Sequence, residues 1–96
     1  MAVIRNNDYV VFNKSFLNDT NLSLQEKGLL SMMLSQPDDF VCSFSTICVM
    51  CNDDKTTIEK TLLDLFSHGY IEMERQDGEI TFTIHEKTML GGNINE

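Results

Sequence analysis

The stretch that decides the predicted fold is ICVMCNDDKTTI, residues 47–58, which has the spacing of two helices joined by a tight turn. Cys48 supplies the small residue that the first helix of such a motif needs where the second helix crosses it closely. Asn52 is a residue type that tolerates a left-handed turn. Asp54 predicts the start of the second helix, because its carboxylate can accept hydrogen bonds from the unpaired N–H groups there. Ile58 is then expected to pack against the first helix.

The segment before this motif predicts another helix. Residues 23–26, SLQE, form a capping box, in which each end residue accepts a hydrogen bond from the other's backbone N–H. Leu22 stands just before the cap, where it can pack onto the helix. Pro37 disfavours helical geometry in the residue before it, so we expect the helix to span 23–35. The expected apolar stripe of this helix consists of Leu24, Leu29, Leu30, Met33 and Leu34.

Local composition predicts two short strands on either side of that helix. Residues 9–13, YVVFN, are β-branched and aromatic, and a polar stretch follows them to Asn21. Residues 40–42, FVC, are the second candidate strand. Ser43 then predicts the N-terminal cap of a short helix over 44–51.

The C-terminal part of the sequence predicts a helix followed by a β-hairpin. A third helix is expected over 54–68, with Ile58, Leu62 and Leu65 on its inner face and Gly69 as its C-terminal cap.

Residues 71–84 alternate between apolar and polar side chains around Asp77-Gly78, a two-residue turn of the primed type. Pairing Gln76 with Glu79 brings the apolar residues onto one face, which supports that register. The same register pairs Arg75 with Ile80, Met73 with Phe82, and Ile71 with Ile84.

The order strand, helix, short strand, helix, turn, helix, hairpin predicts the α+β class and, within it, a winged helix-turn-helix. Such a fold has three helices, a C-terminal hairpin called the wing, and here a short N-terminal strand. We expect one domain over residues 1–88 and a flexible tail over 89–96.

Composition restricts the compartment and the class of partner. No stretch approaches the roughly 18 apolar residues that span a bilayer, and the N-terminus has no long apolar segment of a secretory signal. The odd count of three cysteines favours free thiols in a reducing compartment, so we expect a cytoplasmic protein without membrane contact.

Charge works against nucleic-acid binding. Seven basic and fifteen acidic residues give a formal net charge of −8. The imbalance is greater in the half that carries the helix-turn-helix, since residues 45–87 hold four basic and nine acidic groups. A domain that binds DNA through its backbone is normally basic.

Several stretches carry a family resemblance. LSLQEKGLL at 22–30, LSQPDDF at 34–40, the helix-turn-helix and GYI at 69–71 resemble the N-terminal winged-helix domain of replication initiation proteins of phages and plasmids of Gram-positive bacteria. The resemblance covers roughly residues 9–85. It implies a winged-helix domain that binds duplex DNA. The sequence departs from the family in having Asp53 where an apolar turn residue is usual, and fewer lysines and arginines.

If duplex DNA is bound, the third helix is expected to lie in the major groove and read base edges from its N-terminal half. Its outward residues are Lys55, Thr56, Glu59 and Lys60. The candidates for phosphate contacts are Arg75, beside the wing turn, and Lys14, Lys27 and Lys87. The alternative is that these side chains form an ordinary solvated helix face.

Leu63 and Phe66 widen the apolar stripe of the third helix onto a side that is usually polar. They are candidates for an interface, either with a second copy of the chain or with another protein. The alternative is that the N-terminal strand covers them.

The remaining motifs favour neither a metal site nor catalysis. Cys48 and Cys51 form a C-x-x-C, but no second pair exists, and His68 and His85 lie on distant elements. The paired aspartates stand at turns and caps, where aspartate is structurally favoured. We therefore predict a binding module that is not an enzyme, with no metal, cofactor or small-molecule substrate.

Two functions remain open on the sequence. The first is a DNA-binding module of the replication or transcription-regulation type, reading duplex DNA as a homodimer. The second is an acidic interaction module that binds a basic protein or mimics a nucleic acid. The charge around the third helix is the property that separates them.

Overall fold

The computed structural model describes residues 4–5, 10–37 and 39–90. The described elements are β1 (Ile4–Arg5), β2 (Val10–Val11), α1 (Leu24–Leu34), α2 (Phe44–Met50), α3 (Lys55–Ser67), β3 (Ile71–Gln76) and β4 (Glu79–Ile84). Strands β1 and β2 form one antiparallel pair, and β3 and β4 form another. The α+β class is thereby confirmed. None of the described helices is long and apolar enough to cross a membrane.

Helix α1 begins as predicted. The Ser23 Oγ accepts a hydrogen bond from the Glu26 amide at 3.1 Å, and the Glu26 Oε1 accepts one from the Ser23 amide at 2.8 Å. The stripe prediction is wrong for Leu24, which is 88% exposed. Met33 is at the centre of the buried face. At about 100° per residue, Leu24 lies nearly opposite it, on the solvent side. The other four stripe residues are buried.

Helix α2 is capped by Ser43 and ends at Cys51, which has an extended backbone. The prediction of a left-handed Asn52 is wrong, because Asp77 is the only non-glycine residue with a positive φ among those described. The extended Cys51 redirects the chain instead. Ile47 is fully buried on α2, and Cys48, the predicted crossing residue, is partly exposed.

Both ends of α3 follow the sequence signals. The Asp54 Oδ1 accepts a hydrogen bond from the Thr57 amide at 2.8 Å. At the other end Gly69 has φ +82°, a left-handed conformation. The Tyr70 amide donates to the Leu65 carbonyl and the Gly69 amide to the Phe66 carbonyl, each at 3.0 Å. This pair of hydrogen bonds is a Schellman motif, which closes the helix and turns the chain into β3.

The hairpin has the predicted register. Gln76 pairs with Glu79, Arg75 with Ile80 and Met73 with Phe82. Asp77 and Gly78 have φ values of +52° and +79°, as a primed two-residue turn requires.

The predicted strand over 40–42 is wrong. This segment makes one isolated bridge, Ser43 to Thr81, and the Phe82 amide donates to the Cys42 carbonyl at 2.8 Å. Ser43 is already the cap of α2, so the chain turns helical before a second pair of residues can join β4.

The N-terminal strand is shorter than predicted. Of the expected range 9–13, Val10–Val11 is a strand, and residue 9 lies outside the described residues. Phe16, within the stretch predicted to be polar, is fully buried, and its ring meets that of Phe12 edge-on at 5.5 Å between centroids.

The core lies where the three helices meet the inner face of the hairpin. Its largest fully buried side chains are Tyr70, Phe16, Leu30, Ile47, Leu62, Leu65 and Ile71. Helix α3 packs on α1, α2 and β3, so it is the central element of the fold. One face of α3 is thereby buried, and the other stays open.

Candidate interaction surface on α3 and the hairpin

A shallow apolar groove of about 100 Å³ separates the open side of α3 from the hairpin. We call it the α3–hairpin groove. It is lined by Phe44, Glu59, Leu62, Leu63, Met73, Ile80 and Phe82. The hairpin supplies residues from the apolar row that its register aligns. The groove is therefore a direct product of the predicted register.

The two predicted interface residues lie on the open side of α3. Leu63 is 52% exposed and Phe66 is 50% exposed. Neither β1 nor β2 packs against α3, so the described N-terminal strands leave both side chains uncovered. Leu63 lines the groove and Phe66 lies one helical turn further along.

The predicted DNA-reading residues share this side of α3. Lys55, Thr56, Glu59 and Lys60 are all exposed. Lys60 forms an ion pair with Asp64, since its Nζ lies 2.9 Å from the Asp64 Oδ2. The hydrogen bond to Asp64 raises the pKa of Lys60. Lys55 makes no ion pair with any described residue.

Arg75 is exposed and pairs with Ile80 on the hairpin, next to Met73 in the groove-facing row. It therefore points to the same side of the hairpin as the α3–hairpin groove.

A carboxylate occupies the N-terminus of α2. The Glu79 Oε2 accepts hydrogen bonds from the Ser45 amide at 3.2 Å and the Ser45 Oγ at 2.8 Å. These bonds to Ser45 hold the pKa of Glu79 below its ordinary value. Backbone N–H groups at helix N-termini are common contacts for DNA phosphates. In this chain, Glu79 already accepts from the Ser45 amide and hydroxyl.

Acidic residues outnumber basic ones in the stretch that runs from the start of α3 to the start of β4. Between Asp53 and Glu79 the chain has eight carboxylates and three cations, a net charge of −5. The cations are Lys55, Lys60 and Arg75. Of these three cations, Lys60 is paired with Asp64.

Protein-family models, curated proteins and solved structures give no match for this chain. The resemblance to replication initiation proteins therefore stays a prediction.

Two partly buried polar contacts join the start of α1 and the loop before it to the end of α3. The Glu26 Oε2 lies 2.7 Å from the His68 Nδ1, and the Tyr70 hydroxyl donates to the Asp19 Oδ2 at 2.7 Å. Burial and the bond to Asp19 raise the pKa of Tyr70. Burial alone would raise the pKa of Asp19, but hydrogen bonds from Tyr70 and from the Asn21 amide bring it below its ordinary value.

We call these four residues the α1–α3 junction. Sequence reasoning assigned Glu26 to the cap alone. The one signal for its second role is the helical period, which places Glu26 on the buried face with Met33.

A second cavity of about 260 Å³ lies between α1, α3 and the turn before α3. Met32 and Cys51 line it, and the Cys51 Sγ lies 3.9 Å from the Met32 Sδ. The described residues contain no group of three or more histidine, cysteine or acidic side chains placed to hold a metal ion.

Proposed function

We propose that this chain is an acidic protein-interaction module with a winged helix-turn-helix fold, which binds a basic partner through α3 and the hairpin. The winged-helix assignment is supported by the succession of α2, a short turn, α3 and a hairpin, with α3 central to the core.

The observation that carries the proposal is the position of Glu79. DNA-binding domains use helix N-termini to hold phosphates. Here the Ser45 amide and hydroxyl already hold a carboxylate of the same chain. A phosphate approaching the start of α2 would have to displace Glu79. Charges beyond about 8 Å are screened at physiological salt, but Glu79 is in direct contact with the Ser45 donors.

The apolar component of the surface supports a protein partner. Leu63 and Phe66 are each about half exposed beside the α3–hairpin groove. An exposed apolar cluster surrounded by charges is typical of a protein interface. Carboxylates displayed on the same surface also allow the chain to mimic a nucleic acid and so block a DNA-binding protein.

The test compares Leu63→Glu with Leu24→Glu, since Leu24 is an equally apolar, 88% exposed residue on α1 that does not line the groove. Proteins captured from cells are quantified on wild type and both variants, and fluorescence anisotropy measures duplex DNA binding in parallel. We expect basic proteins to be retained by wild type and Leu24→Glu and lost by Leu63→Glu, without DNA binding at low salt. Salt-sensitive DNA binding by wild type would contradict the proposal.

A second candidate, a duplex-DNA-binding module, is favoured by one observation. Lys55, Thr56 and Lys60 are exposed on the N-terminal half of α3, with Arg75 on the neighbouring hairpin face. Two or three phosphate contacts would give a slope of about −2 to −3 for log K against log salt, roughly doubled in a homodimer. If DNA is bound in this way, the double change Lys55→Glu and Lys60→Glu abolishes binding.

A further inference from the structure

We infer that the Cys51 thiol, the Met32 thioether and the Cys48 thiol form a binding site for the soft cation Cu(I). Met32 and Cys51 line the cavity between α1, α3 and the turn before α3, which shares no lining residue with the α3–hairpin groove. The site therefore does not depend on the proposed function. The expectation of no metal from the sequence weighed thiols and imidazoles, whereas one donor here is a thioether from α1.

The separation of two sulfur atoms is the geometric basis of the site. The Cys51 Sγ lies 3.9 Å from the Met32 Sδ, although the two residues are 19 positions apart in the chain. At a metal–sulfur distance of about 2.3 Å, two sulfur ligands of one trigonal or tetrahedral ion stand about 3.8–4.0 Å apart. Both sulfurs can therefore bind one ion without a movement of α1 relative to the end of α2.

Cys48 supplies the third sulfur. It precedes Cys51 by one helical turn, and both residues are partly buried against the core. Burial raises the pKa of the Cys51 thiol, and the charges of Asp53 and Cys48 raise it further. The two thiols are thus near enough for their charges to interact. A cation bound between them removes this repulsion, and its binding releases the thiol protons.

The set of donors selects the ion. Thiolate and thioether sulfurs are soft ligands that suit Cu(I). Structural zinc sites instead use four thiolate, imidazole or carboxylate donors. Since no group of three or more histidine, cysteine or acidic side chains is placed to hold a metal among the described residues, the two cysteines reach three donors only with Met32. A set of three sulfurs suits Cu(I) better than zinc.

The cavity provides an entry path to the site. Its volume is about 260 Å³, and Gly28 lines it one helical turn before Met32. A Cβ at Gly28 would meet no atom within 4 Å, so the wall that α1 contributes is open at this point. A Cu(I) ion carried by a small thiol can therefore reach Cys51 from solution.

The experiment titrates the reduced full chain, without oxygen, with the Cu(I) complex of bicinchoninate. Transfer of Cu(I) to the protein lowers the absorbance of that complex. We expect one Cu(I) per chain and loss of this binding in Cys51→Ser. Met32→Leu and Cys48→Ser should each lower the affinity at least about tenfold, since even the outer contacts of metal ligands contribute that much. Met32→Leu nearly conserves volume, and its urea midpoint without copper checks the fold.

Matched variants show whether the site is specific. Cys42→Ala removes a buried thiol and Met89→Leu an exposed thioether, and neither residue lines the cavity. Both variants should bind Cu(I) like wild type. Unchanged binding by Met32→Leu would overturn the site, as would equal weakening by Cys42→Ala, because any thiol of the chain would then suffice.

X-ray absorption at the copper edge tests the donors in the wild-type chain, independently of how any variant folds. We expect a shell of three sulfur atoms at about 2.3 Å. A shell that contains nitrogen or oxygen would overturn the proposed set of donors. Tighter retention of Zn(II) than of Cu(I), measured against chelators of known affinity, would overturn the choice of ion.

Discussion

Adjacent leucines on α3 have opposite surroundings. Leu62 is 2% exposed and belongs to the core, whereas Leu63 is 52% exposed and faces the solvent side of the groove. The next such pair shows the same contrast, since Leu65 is 0% exposed and Phe66 is 50% exposed. Since residue type is the same within the first pair, exposure alone separates a side chain that holds the fold together from one that is available to a partner. The contrast predicts large losses of stability from the inner face and losses of binding from the outer face.

The largest effect is expected on the inner face. Leu65→Ala should lower the free energy of unfolding by about 2–5 kcal/mol, because it removes buried methyl groups and leaves a cavity. Leu63→Ala should cost less than about 1 kcal/mol, since half of that side chain is already in water. Urea denaturation of both variants measures the difference. Similar losses for both would show that Leu63 is buried in solution.

The same contrast extends to charged groups. The Glu26 side chain is 5% exposed beside His68, and the Glu72 side chain is 54% exposed beside His85, with the same 2.7 Å separation. Glu26→Gln should lower the free energy of unfolding by about 1–3 kcal/mol, because one amide cannot accept from both the Ser23 amide and His68. Glu72→Gln should stay within about 0.5 kcal/mol. If both variants lost the same free energy of unfolding at neutral pH, burial would not be the reason that Glu26 contributes more than Glu72.

A pH effect should follow from the buried tyrosine of the α1–α3 junction. The pKa of Tyr70 is raised by burial and by Asp19, so the unfolded chain loses this proton first. The protonated Tyr70 hydroxyl contributes fully to stability below the ordinary tyrosine pKa of 10.0, and this contribution falls as the pH rises above that value. The loss is up to about 1.4 kcal/mol per pH unit.

Tyr70→Phe should remove that part of the alkaline loss, as measured by urea midpoints from neutral pH to pH about 11. Burial also raises the pKa of Cys42 to about 11, so Cys42→Ala is the matched variant that isolates the thiol. An alkaline profile unchanged in Tyr70→Phe would be inconsistent with the junction as described.

Phe66→Glu is expected to have only a small effect on the free energy of unfolding. The side chain is half exposed, and a negative charge in the last turns of a helix costs only a few tenths of a kcal/mol, about 0.3–1 at most. Light scattering should give a monomer mass for wild type and variant alike, because two acidic surfaces repel. A larger wild-type mass that this change reduces would identify the homodimer instead.

Sequence signals of short range were sufficient for the helix caps, Gly69 and the hairpin register. A cap and a two-residue turn depend on neighbouring residues, so their chemistry is visible in four or five positions. The α1–α3 junction was not visible, because Glu26 and His68 are 42 residues apart in the chain. Phe16 was missed since a single apolar residue in a polar run has no period to detect.

The candidate surface was predictable in part. Leu63 and Phe66 stood out from the helical period alone, whereas the groove needs the hairpin placed beside α3. The hydrogen bonds of Glu79 to Ser45 also depend on that placement. The prediction for Asn52 was wrong because a residue that tolerates left-handed geometry is not required to adopt it.

The close packing around Gly69 determines where a label can be attached without disturbing α3. A Cβ at this position would lie 2.6 Å from the Thr88 Oγ1 and 2.9 Å from the Leu90 backbone nitrogen. The Met89 amide donates to the Gly69 carbonyl at 2.7 Å, so the segment after β4 is held at the end of α3. A helix of 13 residues is about 20 Å long, which is the span between this anchor and Lys55. A fluorophore attached at position 90 would therefore sit at the opposite end of α3 from its first turn, and such labelling would leave that turn free for binding measurements.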